Sequence, residues 1–262
     1  QMPWFRTLHS LAFQCLGLQS KAVLKGSDYR ELSNLLGLEF QANASVNMAD
    51  GTLYAVGRSG DAYLGMIQRA RIKEVELEKE FSQSADWNLS YQQAKVVAQA
   101  IEDYKQVERK FDFVDMIENF IAQKDCPLFD VLIVDEAQDL APLQWRMVHE
   151  VLKPHSKRVY FAGDDDQCIY SWMGVDVKNF LMASEDRRIL QQSYRIPVSV
   201  HDIADSLVNR LEIRQRKVWN PTDHTGTVVW HRDIMDVDLR TGEWLILART
   251  NFIANRIANN LK

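Results

Sequence analysis

The residues best placed to do chemistry are Asp135 and Glu136, which end the run Phe129-Asp-Val-Leu-Ile-Val-Asp-Glu-Ala-Gln-Asp139. Val131 to Val134 is continuous, apolar and of strand length, which predicts a strand buried on both faces of a parallel sheet. Two carboxylates at the carboxyl end of such a strand lie where open α/β sheets bind ligands. There Asp135 can hold Mg²⁺, largely through its hydration shell, and Glu136 can polarise an attacking water. Nucleotide hydrolysis is the chemistry suggested. For the pair taken alone, an acidic cap on the following helix is an equal alternative.

The neighbouring segments extend the pattern. Lys157 to Ala162 is a second strand candidate, followed by Gly163-Asp-Asp-Asp-Gln-Cys-Ile-Tyr-Ser-Trp-Met-Gly174. A third, Arg188 to Leu190, leads into Gln191-Gln-Ser-Tyr-Arg-Ile-Pro197. Asp-Glu-Ala-Gln-Asp, Gly-Asp-x-x-Gln-x-Ile-Tyr-x-Trp and Gln-x-Tyr-Arg, in this order, resemble the UvrD/Rep family of superfamily 1 DNA helicases. Arg6-Thr-Leu-His-Ser-Leu-Ala12 is similar to that family's Thr-Phe-His-Ser motif, and Phe111-Asp-Phe-Val-Asp115 to the segment upstream of its acidic strand.

The resemblance implies a RecA-like α/β fold in which Asp135 and Glu136 form the Walker B motif, with ATP and Mg²⁺ as cofactors. Gln167 would report on the γ-phosphate or its attacking water, and Gln138 and Asp139 would tie the acidic motif to its neighbours. Arg195 would reach the γ-phosphate from a second domain as an arginine finger. Thr7 and His9 would lie beside single-stranded DNA, and Tyr170 and Trp172 would offer a stacking platform. Two departures stand out: Leu8 replaces a common aromatic residue, and Met173 a common arginine.

The elements that must position these residues follow from periodicity. Residues 7–16 read as a helix with Leu8, Leu11, Ala12 and Cys15 on one face. Asp61 to Phe81 and Ser90 to Lys110 read as helices of an insertion spanning 20–110, Ser90 being the cap of the second. Gly51, Gly57 and Gly60 mark a loop, and the charges from Arg69 to Glu80 suggest a solvated helix face. Asp112 can cap a helix that turns Phe113, Ile117, Phe120 and Ile121 inward. Pro142 suits the first turn of another, with Leu143, Met147, Val151 and Leu152 inward. Beyond Pro197 the pattern predicts a helix with Val200, Ile203, Ala204 and Leu207 on one face. Strands at Gly226 to Arg232 and Glu243 to Ala248 and a helix capped by Asn251 follow. The expected domains are 1–19 and 111–190 as a first RecA-like domain, 20–110 as its helical insertion, and 191–262 as the beginning of a second.

The chain has 262 residues and a formal charge of −5. That charge argues against a protein that coats nucleic acid indiscriminately, but allows a local basic groove. Cys15, Cys126 and Cys168 are odd in number and lack metal-ligand spacing, so free thiols in a reducing, cytoplasmic setting are expected. No apolar run approaches membrane-spanning length.

No glycine is followed by the lysine of a G-x-x-x-x-G-K-[ST] phosphate cradle, and Gly57-Arg-Ser-Gly60 is no substitute. In the family the cradle precedes the Thr-x-His-Ser motif, and the later motifs, with a second γ-phosphate arginine and the remaining DNA contacts, would lie beyond Lys262, so both ends are expected to be cut. The resulting expectation is a portion of an ATP-dependent helicase, moving 3′ to 5′ on single-stranded DNA and opening duplex junctions in repair or replication. Alone, it would bind nucleotide poorly, and a separate chain supplying the cradle is one way to complete it. A non-hydrolysing single-stranded nucleic-acid-binding module, half of a split motor, and a metal-dependent nuclease using Asp135, Glu136 and Asp164 to Asp166 are the alternatives.

Overall fold

The apolar run before Asp135 forms a strand, β1 (Phe129–Val134), which pairs in parallel with β2 (Ser156–Phe161) in register from Phe129 opposite Ser156 to Val134 opposite Phe161. These are the two strands of the sheet in the computed structural model, which describes residues 4–40, 59–83 and 89–260. The expectation of burial on both faces fails. Leu132, Val134 and Phe161 face the core, whereas Val131 is 40 % exposed and Ile133 67 % exposed. The composition is that of a doubly buried strand, but among the described residues only one face is covered.

Helices supply that cover. α1 (Leu8–Cys15) starts at Thr7, whose hydroxyl accepts the Ser10 N–H at 3.2 Å. α2 (Gly26–Leu36), α3 (Ser59–Ile72), α4 (Leu77–Ser82) and α5 (Tyr91–Glu108) follow. α6 (Phe113–Gln123) opens with a reciprocal capping box, in which the Asp115 N–H meets Asp112 Oδ1 at 2.8 Å and the Asp112 N–H meets Asp115 Oδ2 at 2.7 Å. α7 (Pro142–Met147) continues into a π-helical turn at Val148–Leu152 before β2. One apolar core gathers Leu11, Ile117, Phe120, Val134, Leu143, Met147 and Val151. A second gathers Leu32, Tyr63, Met66, Val97 and Ile101 from α2, α3 and α5.

Charges join the helices. The run from Arg69 to Glu80 is a solvated face only in part: Glu74, Glu76, Glu78 and Lys79 are exposed, while Arg69, Arg71 and Lys73 turn to buried partners. Glu80 is buried and takes Arg69 and Lys73, each at 2.8 Å. Burial raises its pKa, but those two cations outweigh burial and hold it below the usual carboxylate range. Arg71 reaches Asp112 at 2.9 Å, Asp115 at 2.6 Å and Glu118 at 2.5 Å, and Lys105 reaches Asp115 at 2.8 Å. The last turns of α3 and α5 are thereby tied to the first turn of α6. Gly60 lies within α3, while Gly51 and Gly57 fall outside the described residues.

The chain divides into two compact units: residues 1–187 with 213–215, and residues 188–212 with 216–262. The first contains everything above, together with α8 (Val177–Leu181). In the second, α9 (Val198–Val208) and α10 (Asn251–Asn260) are present. Thr250, not Asn251, caps α10, its hydroxyl accepting the Ile253 N–H at 3.3 Å. The strands expected at 188–190, 226–232 and 243–248 do not form. Their alternating sequences satisfy a strand only beside a partner, and Leu190, Trp230, Leu245 and Leu247 are each more than 80 % exposed. Backbone pairing in this unit runs instead between 193–199 and 220–225, including Ser193 N–H to Asn220 O and Ser199 N–H to Thr225 O, each at 2.9 Å.

Candidate nucleotide and nucleic-acid site

Past the last paired residues of β1 and β2 the two chains stay together. The Ala162 N–H donates to Val134 O at 2.8 Å and the Ala137 N–H to Ala162 O at 2.9 Å. This places residues 135–138 beside 162–164. Between those bonds Glu136 adopts left-handed backbone angles, φ 50° and ψ 39°. For a residue with a Cβ that conformation costs on the order of 1 kcal/mol, and such strain gathers where a side chain must be aimed. The Glu136 N–H turns onto Asp135 Oδ1 at 3.0 Å. Both acidic residues are exposed.

Gln138, 2 % exposed, joins the two loops. Its Nε2 donates to Glu136 Oε2 at 2.7 Å, and its Oε1 accepts the Asp164 N–H at 3.1 Å. Asp164 in turn accepts Gln167 Nε2 on Oδ2 at 2.7 Å. Hydrogen bonds thus run from Glu136 through Gln138 and Asp164 to Gln167. Gly163 is required by this closeness, since a Cβ there would lie 2.2 Å from Gln138 Oε1. Asp139 is half-buried behind the loop, and burial together with the Glu136 charge raises its pKa.

The aromatic candidates separate. Trp172 is 38 % exposed on a short 3₁₀ turn, Ser171–Met173, which buried Met173 pins to the core. Tyr170 is half-buried against that same core. Thr7 is exposed at the start of α1. His9, one turn on, meets the Phe113 ring edge-on with centroids 5.7 Å apart. Burial lowers the His9 pKa to about 4, so its imidazole is neutral near pH 7. Phe113, expected in the core, is 36 % exposed. It is the first residue of α6, where side chains project outward before the buried stripe begins at Val114 and Ile117. Its place directly after the capping Asp112 is the signal for this.

Arg195 belongs to the second unit, where it is exposed and its N–H lies 3.4 Å from Ser193 Oγ. Among the described residues no three His, Cys, Asp or Glu side chains converge as a metal-holding group. The Asp165 and Asp166 carboxylates are instead engaged by the Gln215 N–H at 2.6 Å and by Arg214 at 2.7 Å. No described helix is long and apolar enough to cross a membrane.

Comparison with known proteins bears on this arrangement. The family model described as the UvrD/REP helicase N-terminal domain matches residues 1–188. Among curated proteins, the ATP-dependent DNA helicase PcrA of Leuconostoc citreum is 31 % identical over 110 residues, 40 % of this chain and 15 % of PcrA. The ATP-dependent DNA helicase Rep of Buchnera aphidicola is 32 % identical over 104 residues, 37 % of this chain and 15 % of Rep. DNA helicase II of Haemophilus influenzae is 28 % identical over 114 residues, 42 % of this chain and 14 % of that protein. The matches therefore cover about one seventh of each relative. With the acidic strand and the glutamine-bearing loop side by side in the first unit, and the family match running through both, this chain belongs to the UvrD/REP helicase family.

Proposed function

We propose that the chain is part of an ATP-dependent DNA helicase that moves 3′ to 5′ along single-stranded DNA and couples ATP hydrolysis to opening of duplex junctions. In this reading β1 and β2 belong to a RecA-like domain, residues 20–110 are its helical insertion, and 191–262 begin a second RecA-like domain. The observation that carries it is the hydrogen-bonded path from Glu136 through Gln138 and Asp164 to Gln167. A path of this kind lets a phosphate-sensing amide and a water-activating carboxylate move as one.

Glu136 takes the proton of the attacking water, and the Gln138 hydrogen bond fixes the plane of its carboxylate while it does so. Two adjacent exposed carboxylates at a strand end fit Mg²⁺, which is held through one or two carboxylates with water and phosphate oxygen completing its shell. When bound, Mg²⁺ would supply charge neutralisation at the phosphates. Gln167 orients the water or the γ-phosphate. Arg195 stabilises charge on the phosphoryl group. Thr7, His9 and Trp172 face single-stranded DNA, and Phe113, beside His9, joins them.

Binding of a fluorescent oligothymidylate, read by anisotropy, tests the nucleic-acid part. Trp172→Ala should weaken it about 5- to 150-fold, the equivalent of about 1–3 kcal/mol for one stacked base. Unchanged affinity would remove Trp172 from the interface, and an unaltered chain that does not bind would sink the reading. Mg²⁺-dependent cleavage of the oligonucleotide without ATP would favour the nuclease alternative.

A further inference from the structure

Residues Ile213–Gln215 pack as part of the first unit, although the chain on both sides of them belongs to the second. Their contacts fall on the turn that carries Gln167. Arg214 Nη2 meets Asp166 Oδ2 at 2.7 Å, and both side chains are only 6 % exposed. The Gln215 N–H donates to Asp165 Oδ2 at 2.6 Å, and Arg187 Nη1 donates to Gln215 Oε1 at 2.9 Å. The same turn is also held by Gln138 through the Asp164 N–H.

The three consecutive aspartates therefore have different roles. Asp164 holds the Gln167 amide, while Asp165 and Asp166 receive the strap. We propose that Arg214 is a positioning residue for the Gln167–Trp172 loop, acting through Asp166 and touching neither nucleotide nor DNA.

The physical argument is one of anchorage. The stretch from Asp165 to Met173 contains two 3₁₀ turns, Asp165–Gln167 and Ser171–Met173, separated by Cys168, exposed Ile169 and Tyr170. Short 3₁₀ turns have few hydrogen bonds of their own and take their position from what grips their ends. Met173 anchors the distal end in the core, and the strap and Gln138 both anchor the proximal end. A buried ion pair suits this purpose because moving its partners apart separates two charges that are both largely out of water. Trp172 sits between the two anchors, and loosening one of them spreads its orientations.

The functional consequence rests on the single-stranded DNA reading above. The test has two arms, so that failure of one reading is distinguishable from failure of the other. Hydrogen exchange reads the strap directly. In Arg214→Met and in Asp166→Asn, amides 164–173 should exchange faster while those of α5 and α6 stay protected. Asp166→Asn keeps the side-chain shape and decides the matter if Arg214→Met does not fold. Unaltered exchange in 164–173 would overturn the proposal whatever happens with DNA.

Oligothymidylate binding is the second arm. Arg214→Met should weaken it about fivefold or more in the unaltered background and have no effect once Trp172 is alanine, because it acts through that ring. Arg214→Lys, which keeps the charge, should recover part of the loss. The slope of log affinity against log salt should not change. A slope reduced by about 0.7–1 would make Arg214 a phosphate contact and overturn the proposal. Additive losses in the double variant would mean general destabilisation and would overturn it equally. If the unaltered chain binds no oligothymidylate, the function proposed above fails and the exchange arm alone decides the strap.

Discussion

Arg71→Met tests whether the ion cluster at the head of α6 holds the first unit together. Arg71 is about one-fifth exposed and contacts three carboxylates, at 2.9 Å, 2.6 Å and 2.5 Å. Two of them, Asp112 and Asp115, are themselves 5 % and 10 % exposed. With methionine in place, those two carboxylates share Lys105 alone, at 3.3 Å and 2.8 Å. Breaking a buried ion pair by removing one partner costs about 3–5 kcal/mol, because the remaining charge is left desolvated. Lys105 still compensates in part and Glu118 is well exposed, so the lower end, about 3 kcal/mol, is the expectation here. For a unit of this size that lowers Tm by roughly 6–12 °C. Thermal unfolding followed by circular dichroism measures it. Adding Asp112→Asn to the variant should return part of the loss, since it removes one orphaned charge while an asparagine can still cap α6. Lys157→Met breaks an ion pair that is fully exposed and should leave Tm where it was. A shift of under about 2 °C for Arg71→Met would refute the reasoning, as would a double variant less stable than either single one.

Two further outcomes are expected. Gly163→Ala places a methyl group 2.2 Å from Gln138 Oε1, so the loops must part and the Asp164 N–H loses its acceptor. A cost of about 1–3 kcal/mol follows, read as a lower urea midpoint; an unchanged midpoint would mean that the loops are not in contact. His9 has a folded pKa of about 4 against 6.5 unfolded, so the unfolded chain binds more protons between those values. The stability it contributes is fully present above pH 6.5 and is lost as pH falls towards 4, amounting to about 2 kcal/mol at pH 5. His9→Gln should remove that part of the acid sensitivity between pH 7 and pH 5, and equal slopes for the two proteins would contradict the burial of His9.

What is legible in the sequence is local. The strand before Asp135, the Asp112 cap and the Pro142 start are set by neighbours within four residues, and each forms as expected. Partners distant in sequence are not legible. Arg71 finds its carboxylates 41 to 47 residues away and Arg214 finds Asp166 48 residues away, so neither the charge run from Arg69 to Glu80 nor the aspartate run discloses its role. The missing strands fail for the same reason, since alternation describes one chain and a ladder needs two. At the candidate site the residue types at 135, 136, 138 and 167 are readable from their order. The left-handed backbone at Glu136 is not, because nothing in Asp-Glu-Ala-Gln announces a positive φ.

Six of the first unit's cations bear on how such a protein would hold DNA. Arg69 and Lys73 are committed to Glu80, Arg71 and Lys105 to Asp112 and Asp115, Lys110 to Asp28, and Arg214 to Asp166. A cation paired with a buried carboxylate cannot neutralise a phosphate without abandoning that carboxylate, and the cost of doing so exceeds the gain from one solvated phosphate contact. The rings at the proposed DNA surface are of another kind: Trp172 and Phe113 are exposed, and a half-buried, neutral His9 lies against Phe113. Rings stack on any base, and stacking releases no counterions. On the function proposed here, this part of the surface would hold single-stranded DNA through base faces, with little preference for sequence. The net charge of −5 is compatible with a contact of this local kind, which needs no positive charge on the protein as a whole.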